Sequence, residues 1–170
     1  MKRWFIFSFG ILPFLFSSFN ISNKLICSAV KTCDQIPVLN QKLIDFVKTN
    51  LNKKVGRGEC WDLAAHGLNA IGANWDKNYG FGKEIDLKKD CVFPGDLIQF
   101  EGVEIQYQKK NSFYREELEH HTAIIFKVHN KESFVLAEQN TTDLGKKVGT
   151  APLELKNILK GTFKIYRPVN

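Results

Sequence analysis

The chain has 170 residues, 44% hydrophobic and 25% charged, which is enough to bury the core of one domain. Five prolines and twelve glycines exclude a collagen-like or Pro/Gly-rich disordered chain, and four cysteines are too few for a disulfide-dense miniature scaffold. The net charge of +6 comes partly from scattered lysine pairs that form no basic stripe with interleaved aromatics, so we expect no nucleic-acid partner.

Residues 1–29 have the pattern of a secretory signal peptide. A short basic start, Met1-Lys2-Arg3, precedes an apolar run that Ser17 and Ser18 interrupt before the roughly 20 residues of a membrane span. The cut site falls between 18 and 29, and an uncleaved anchor is the alternative. The sequence therefore predicts a secreted or periplasmic protein whose mature domain, residues 30–170, is a monomer that does not contact the membrane.

The cysteine count after export predicts one free thiol. Cleavage after Ala29 leaves Cys33, Cys60 and Cys91, an odd number in a compartment that permits disulfides. We expect Cys33 to pair with Cys91 and Cys60 to remain free. Three buried thiols are the alternative.

Two helices are predicted ahead of the strands. Apolar residues recur at intervals of three and four over residues 37–55, which is a helical period. After a glycine-containing break, a second such pattern begins at Cys60 and stops near Gly72. Residues 73–95 look irregular and end in a Pro-Gly turn.

The amino-acid composition of the chain changes after the Pro-Gly turn. β-Branched and aromatic runs predict strands at 96–100, 121–128, 133–137 and 162–166, with Asn130-Lys131 as the turn between the second and third. Helices followed by strands with short connections predict an α+β fold, in which the helices pack on an antiparallel sheet.

Cys60 lies at the start of the second predicted helix, a position that activates a thiol as a nucleophile. The N-terminus of a helix stabilises thiolate over thiol, and its free N–H groups can receive an oxyanion. A thiolate nucleophile also needs a base and an acceptor that orients the base. The chain supplies His120 or His121 at the start of one predicted strand, and Glu138 and Asn140 at the end of the next.

Strand geometry relates these candidates to one another. Glu138 and Asn140 are two residues apart and so share a face, and a hairpin centred on Asn130-Lys131 places residue 121 opposite a residue near 140. Only one of His120 and His121 can face Cys60, and the first position of the apolar run favours His121. Taken singly, each residue is more typical of structure than of catalysis: Cys60 of a core, His121 of a structural histidine and Glu138 of a surface charge at a strand end. With no CxxC or HxxxH pattern, we expect no metal and no cofactor.

Four short motifs follow one another along the chain: Gly58-Glu59-Cys60-Trp61-Asp62-Leu63, Pro94-Gly95-Asp96-Leu97-Ile98-Gln99-Phe100, His121-Thr122-Ala123-Ile124-Ile125 and Ala137-Glu138-Gln139-Asn140. In residues and order they resemble the motifs of the CHAP amidase/peptidase family, which belongs to the NlpC/P60 papain-like superfamily. The resemblance implies a papain-like fold and a cysteine hydrolase that cuts amide bonds, most often in bacterial cell-wall peptides.

The same resemblance assigns roles to individual residues. Cys60 would be the nucleophile, His121 the general base and Glu138 its orienting group, while Asn140 assists and Trp61 lies near the site. Asp96 matches a structural turn. Asp62 matches one ligand of the calcium site found in some relatives, but the stretch upstream of Cys60 lacks the acidic partners, so calcium is not expected.

Glu59 departs from the family, which commonly has Gln beside the nucleophile to hold the oxyanion. A carboxylate there would oppose an oxyanion and raise the pKa of the thiol unless it is protonated or turned away. Gly-Glu-Cys-Trp and His-His-Thr-Ala are also similar to the papain-like domain that closes some fungal actin-patch proteins.

The sequence as a whole predicts an exported thiol hydrolase acting on peptidoglycan peptides. Two alternatives stay open: a binding module that keeps the fold without turnover, which Glu59 favours, and an exported effector protease acting on a host protein.

Overall fold

The computed structural model of the protein describes residues 33–109 and 112–170, so the predicted signal peptide lies outside the described residues. The described chain forms two helices and six strands: α1 Val38–Asn50, α2 Cys60–Ala70, β1 Lys83–Ile85, β2 Leu97–Lys109, β3 Ser112–Asn130, β4 Ser133–Glu138, β5 Gly149–Glu154 and β6 Ile158–Arg167. None of its helices is long and apolar enough to span a membrane.

Both predicted helices form, and the first is shorter than expected. The helix α1 follows Pro37 and ends at Asn50, because the next residue is extended and the N–H of Asn52 donates to the carbonyl of Val148 at 2.8 Å. The helix α2 begins at Cys60, and Gly72, with φ +71°, stands just past its end. A left-handed glycine after the last turn is a common helix stop.

The six strands form one antiparallel sheet in the order β1-β6-β2-β3-β4-β5. This confirms the predicted α+β class with an antiparallel sheet. The sequence patterns missed β1 and β5, which are the two edges of the sheet. An edge strand needs only one hydrogen-bonding neighbour, so β1 can be three residues long and β5 can contain Pro152.

The hairpin of β2 and β3 extends much further than predicted. Its pairing runs from the Leu97–Ile124 pair to the Lys109–Ser112 pair, although the runs predicted as strands cover only 96–100 and 121–128. The distal part of this hairpin, residues 103–109 and 112–118, is called the β-arm here, and it carries exposed neighbours, Phe113 and Tyr114, on opposite faces. Residues 112–117 of β3 are mostly exposed, and their sequence has no apolar alternation to mark them as strand.

The sheet separates two apolar cores. Leu63 and Leu68 of α2 pack on one face with strand residues such as Leu97 and Ile124. The alternate strand residues build the core of the opposite face, with Ile98, Phe100, Ala123, Ile125 and Leu136 among its members. Because the central strands are buried on both faces, they read as nearly continuous apolar runs.

Two glycines mark the point where the β-arm leaves the main sheet. Gly102 and Gly161 have φ values of +57° and +88°, and a Cβ on Gly161 would collide with the backbone of Gly102. The register between β2 and β6 shifts at the same place, as it does at a β-bulge that bends a strand. Val103 and Leu118 of the β-arm contribute to the second core.

Cys33 and Cys91 form a disulfide, and Cys60 is a free, half-buried thiol. Both features confirm the pairing expected from the sequence, and they overturn the alternative of three buried thiols. The bridge joins the segment before α1 to the segment before β2, across a sequence separation of 58 residues.

Asp96 anchors the start of the sheet. Its fully buried carboxylate accepts hydrogen bonds from Arg167 at 2.7 and 3.0 Å, from Asn40 at 2.7 Å and from the N–H of Phe93 at 2.8 Å. Burial raises the pKa of Asp96 above its usual value, although the Arg167 guanidinium acts in the opposite direction. These contacts bear out the structural role that the resemblance gave to Asp96.

We predict that Asp96→Asn lowers the free energy of unfolding by about 3–5 kcal/mol, because it leaves the Arg167 guanidinium largely buried without its carboxylate. Chemical denaturation of the purified chain measures this change. The matched control is Asp45→Asn, which removes an exposed ion pair with Lys48 and should cost less than about 1 kcal/mol. Equal losses in the two variants would contradict the anchoring role.

Candidate active site

Gln139 fixes the loop that leads into Cys60. Its buried side chain donates from Nε2 to the carbonyls of Val55 at 3.0 Å and Glu59 at 2.7 Å, and its Oε1 accepts from the N–H of Val55 at 3.2 Å. The loop before α2 is therefore tied to the residue that directly follows β4. The sequence analysis assigned no role to Gln139. The only feature that distinguished Gln139 in the sequence was its expected position on the strand face opposite to that of Glu138.

Asp62 holds the same loop from the helix side. Its carboxylate accepts from the backbone N–H groups of Arg57 at 2.7 Å and Glu59 at 3.3 Å, and it pairs with the Arg57 guanidinium at 2.9 Å. Burial raises the pKa of Asp62, but these contacts outweigh it and bring the pKa below the usual value. Asp62 thus acts as a capping carboxylate within α2.

Cys60 lies against an open stretch of the β3 edge. The strand β4 ends at Glu138, and the β3–β4 pairing of the described chain starts at the Ile124–Ala137 pair, so β3 is unpaired on this side around His121. The Cys60 sulfur lies 4.0 Å from the carbonyl oxygen of His120 and receives a hydrogen bond from the backbone N–H of Thr122. The end of β4 therefore makes room for the thiol.

The structure brings Cys60, His121 and Glu138 together. His121 and Glu138 are 6% and 7% exposed, and Nε2 of the imidazole lies 2.9 Å from Oε2 of the carboxylate. The His121 ring also interacts with the Cys60 thiol through a side-chain hydrogen bond. A thiol, an imidazole and a carboxylate thus stand in series, as nucleophilic catalysis requires.

These contacts favour the charged forms of both groups. Burial raises the pKa of Cys60, but the hydrogen bonds from His121 and from the backbone of Thr122 outweigh it, and the net pKa is lowered. Burial lowers the pKa of His121, but the hydrogen bonds to Cys60 and Glu138 raise it to about 9. Each group thus favours the charged form of the other.

His120 takes no part in this series. It hydrogen-bonds the Glu101 carboxylate at 2.8 Å through Nδ1, and its ring meets the Tyr79 ring edge-on at 4.1 Å. Its side chain is 41% exposed and leaves β3 on the side opposite to His121. The geometry distinguishes the two neighbouring histidines as the strand alternation predicts.

Asn140 differs from its predicted placement. The argument that it shares a face with Glu138 needs β4 to continue, but β4 ends at Glu138 and Asn140 has a left-handed φ of +64°. That premise is wrong. The Asn140 amide donates instead to the Glu59 carboxylate at 2.7 Å, and both Asn140 and Cys60 line the same cleft.

The Glu59 carboxylate is occupied on both oxygens. Asn140 donates to Oε2, and the Lys146 ammonium lies 3.0 Å from Oε1. Lys146 compensates the negative charge that Glu59 introduces beside Cys60. The sequence motif contained Glu59 but could not reveal Lys146, which lies 87 residues further along the chain.

Trp61 supports the start of α2. Its indole N–H donates to the carbonyl of Asn78 at 2.7 Å, and its ring lies 5.7 Å from the ring of Trp75. These contacts tie the irregular segment after α2 to the residue next to Cys60.

The cleft over the thiol has a volume of about 310 Å³ and a strongly acidic wall. Its lining residues from β3 include Glu116, Glu117 and Glu119, and Thr141 and Thr142 follow Asn140 on the other side. Within residues 33–109 and 112–170, no group of His, Cys, Asp and Glu side chains has an arrangement that could hold a metal ion.

We predict that Glu138→Gln lowers the pKa of His121 from about 9 by about one unit or more, because the imidazolium loses a buried carboxylate partner. Titration of the ring protons by NMR measures the pKa. Glu101→Gln, which removes the partner of His120, is the matched control and should leave the titration of His121 unchanged. An unaltered His121 titration in Glu138→Gln would show that Glu138 does not stabilise the imidazolium.

The chain is similar to a curated protein and to a solved structure. Altered inheritance of mitochondria protein 3 of Debaryomyces hansenii is 25% identical over 174 residues, which cover 88% of this chain. The chain spans only 18% of the length of this curated relative. The crystal structure of Ly7917 with the hydrolyzing product of MDP is 15% identical, with a TM-score of 0.44, and the match covers 76% of this chain and 62% of that chain.

A family described as the AIM3/BBC1 cysteine proteinase-fold domain matches residues 38–170. This match supports the papain-like fold, and with the Debaryomyces hansenii relative it agrees with the second resemblance noted in the sequence, to fungal actin-patch proteins. The narrower assignment to the CHAP and NlpC/P60 group stays a prediction. The chain belongs to the AIM3/BBC1 cysteine proteinase-fold domain family.

Proposed function

We propose that this domain is a cysteine hydrolase that cleaves amide bonds through an acyl-enzyme. The observation that carries the proposal is the series Cys60–His121–Glu138, in which the half-buried thiol at the start of α2 is hydrogen-bonded to a buried imidazole held by a buried carboxylate. A histidine with only a structural role would not require contacts with both a free thiol and a buried carboxylate.

In the first half of the proposed reaction, the Cys60 thiolate attacks the carbonyl carbon of the scissile amide and forms a C–S bond. The N-terminal N–H groups of α2 receive the oxyanion. The His121 imidazolium gives its proton to the leaving nitrogen as the C–N bond breaks, which releases an amine and leaves a thioester.

Water completes the cycle in the second half. Neutral His121 takes a proton from the attacking water, the C–S bond breaks, and the carboxylic acid product leaves. The proton then on His121 restores the imidazolium beside the regenerated thiolate. Glu138 acts as a positioning residue, because it touches the imidazole and not the reacting atoms.

Glu59 also has a place in this proposal. A free carboxylate next to Cys60 would oppose both the thiolate and the oxyanion, but Lys146 and Asn140 occupy its two oxygens. The net charge of Glu59 and Lys146 together is close to zero, so this pair leaves the N-terminus of α2 available to an oxyanion.

Alkylation of Cys60 tests whether the thiol is activated. We expect iodoacetamide to label Cys60 in the wild type at pH values well below the usual thiol pKa of about 8.5, because the imidazolium stabilises the thiolate. His121→Ala should move the midpoint of the rate profile up toward that value. A wild-type midpoint near 8.5 that His121→Ala does not change would contradict the proposal.

Turnover is tested on peptides of an internally quenched library and on purified peptidoglycan, with new amine ends as the readout. We expect cleavage by the wild type and a loss of at least about a thousandfold in Cys60→Ala, since that change removes the nucleophile. His129→Ala, at the exposed far end of β3, is the matched control and should retain cleavage. A Cys60→Ala protein that cleaves as fast as the wild type would overturn the mechanism.

A binding module without turnover is the second candidate, and Glu59 favours it. The Asn140 amide, which the resemblance assigned to assist the site, hydrogen-bonds Glu59. This candidate expects the library peptides to bind wild type and Cys60→Ala equally without being cut. Peptidoglycan as the substrate, a host protein as an alternative target, and export remain predictions.

A further inference from the structure

A second imidazole–carboxylate pair lies next to Cys60, on the face of β3 opposite to His121. Nδ1 of His120 is 2.8 Å from Oε2 of Glu101, and the two residues are cross-strand neighbours. The carbonyl oxygen of His120 is 4.0 Å from the Cys60 sulfur, and His120 is among the residues that line the cleft over the thiol. The second imidazole is therefore carried by the strand residue that the thiol approaches.

A chain of hydrogen bonds from the interior of the sheet holds this pair in place. The hydroxyl of Thr122 donates to Oε1 of Gln99 at 2.5 Å, and Nε2 of Gln99 donates to Oε1 of Glu101 at 3.0 Å. Thr122 and Gln99 are 1% and 3% exposed, so their polar groups are costly to bury unless each has a partner. The chain thus runs from two buried side chains to the His120 imidazole, which is 41% exposed.

The same chain determines which nitrogen of the neutral His120 ring carries the proton. Burial raises the pKa of Glu101, but the hydrogen bonds from His120 and Gln99 outweigh it and bring the pKa below its usual value. An ionised carboxylate only accepts hydrogen bonds, so Nδ1 donates to it and Nε2 is left as an acceptor. The hydrogen bonds that the described residues make to this ring involve Nδ1, and the Tyr79 ring meets it edge-on at 4.1 Å. The exposed imidazole therefore offers Nε2 in a fixed tautomer and orientation.

We propose that His120 binds the peptide substrate by accepting, at Nε2, a hydrogen bond from a backbone N–H next to the bond that Cys60 attacks. This inference rests on the proposed hydrolase function and adds to it a residue that recognises the peptide backbone. His121 is buried and engaged by Cys60 and Glu138, so His120 is the imidazole that a substrate can reach. An acceptor of fixed tautomer selects a peptide N–H over a carbonyl or carboxylate oxygen. Glu101 is then a positioning residue, because it acts through His120.

Substitution of His120 tests the contact with the library peptide that the wild type cleaves fastest. His120→Phe should raise KM about threefold to tenfold and change kcat less than about twofold, because bound substrate loses one hydrogen bond. Labelling of Cys60 by iodoacetamide should keep its wild-type rate, since the contact between the thiol and His121 is intact. His129→Phe, at the exposed far end of β3, is the matched control and should change neither constant. An unchanged KM in His120→Phe would overturn the inference.

Glu101→Gln separates the hydrogen bond of His120 from the bulk of its ring. In this variant the amide oxygen accepts the hydrogen bond from Gln99, so the amide nitrogen faces Nδ1 of His120 and donates to it. The ring proton then moves to Nε2, which no longer accepts. We expect KM to rise as in His120→Phe although the ring is retained, and nitrogen NMR of the neutral imidazole reports the tautomer. Glu84→Gln, which removes an exposed ion pair with Lys164, is the matched control and should alter neither. A switched tautomer with a wild-type KM, or a wild-type ring protonated at Nε2, would overturn the inference.

Ester analogues of the peptide locate the N–H that His120 binds. Replacing one backbone N–H at a time by an ester oxygen should raise the KM of the wild type at the position in contact with Nε2. The same replacement should have no effect in His120→Phe, because the two changes remove the same hydrogen bond. Losses that are equal in the two proteins at every position would contradict the contact.

Iodoacetamide has no peptide N–H to place at Nε2, so its rate separates the two proposals. An activated Cys60 together with a KM that does not depend on His120 would leave the hydrolase proposal standing and overturn this inference. If Cys60 proves unactivated and no peptide is cut, binding of the library peptides to the Cys60→Ala protein decides. Weaker binding after His120→Phe is added supports the contact, whereas equal binding, or none in either protein, overturns it.

Discussion

The position of Cys60 depends on a small group of hydrogen bonds at the end of β4. Gln139 binds Val55 and Glu59 across 84 and 80 residues of sequence, and this brings the N-terminus of α2 to the edge of β3. A buried amide is costly unless its donors and acceptors are satisfied, so these bonds strongly favour one placement of the loop. Since β4 stops one residue earlier, the β3 edge is open at the point where the thiol arrives.

Charge placement follows from this packing. The His121 imidazole lies between a thiol and a buried carboxylate, so its protonated form is favoured, and the sulfur loses its proton more readily for the same reason. Glu59 would disturb this balance if its carboxylate were free. Its charge is compensated by Lys146, a residue that is distant in sequence and adjacent in space.

The β-arm shapes the surface next to the candidate site. A two-stranded ribbon has little core of its own and needs contacts with other parts of the molecule. The bulge at Gly102 places Val103 and Leu118 in the second core, which leaves a cavity between the β-arm and β5. That cavity adjoins Glu138, so one structural irregularity both stabilises the β-arm and shapes the surface next to the site.

The sequence by itself determined the two helices and the central antiparallel strands, and it indicated the Cys33–Cys91 pairing and which of the two neighbouring histidines shares a strand face with Glu138. Helical spacing, strand alternation and cysteine parity are local or countable properties, and they act within one element or one hairpin. Only the tertiary structure decided the edge strands, the end of β4 before Asn140, the clamp of Gln139 and the pairing of Glu59 with Lys146. These features depend on groups that are far apart in the chain and meet only when the sheet is assembled, and no periodicity encodes such a meeting.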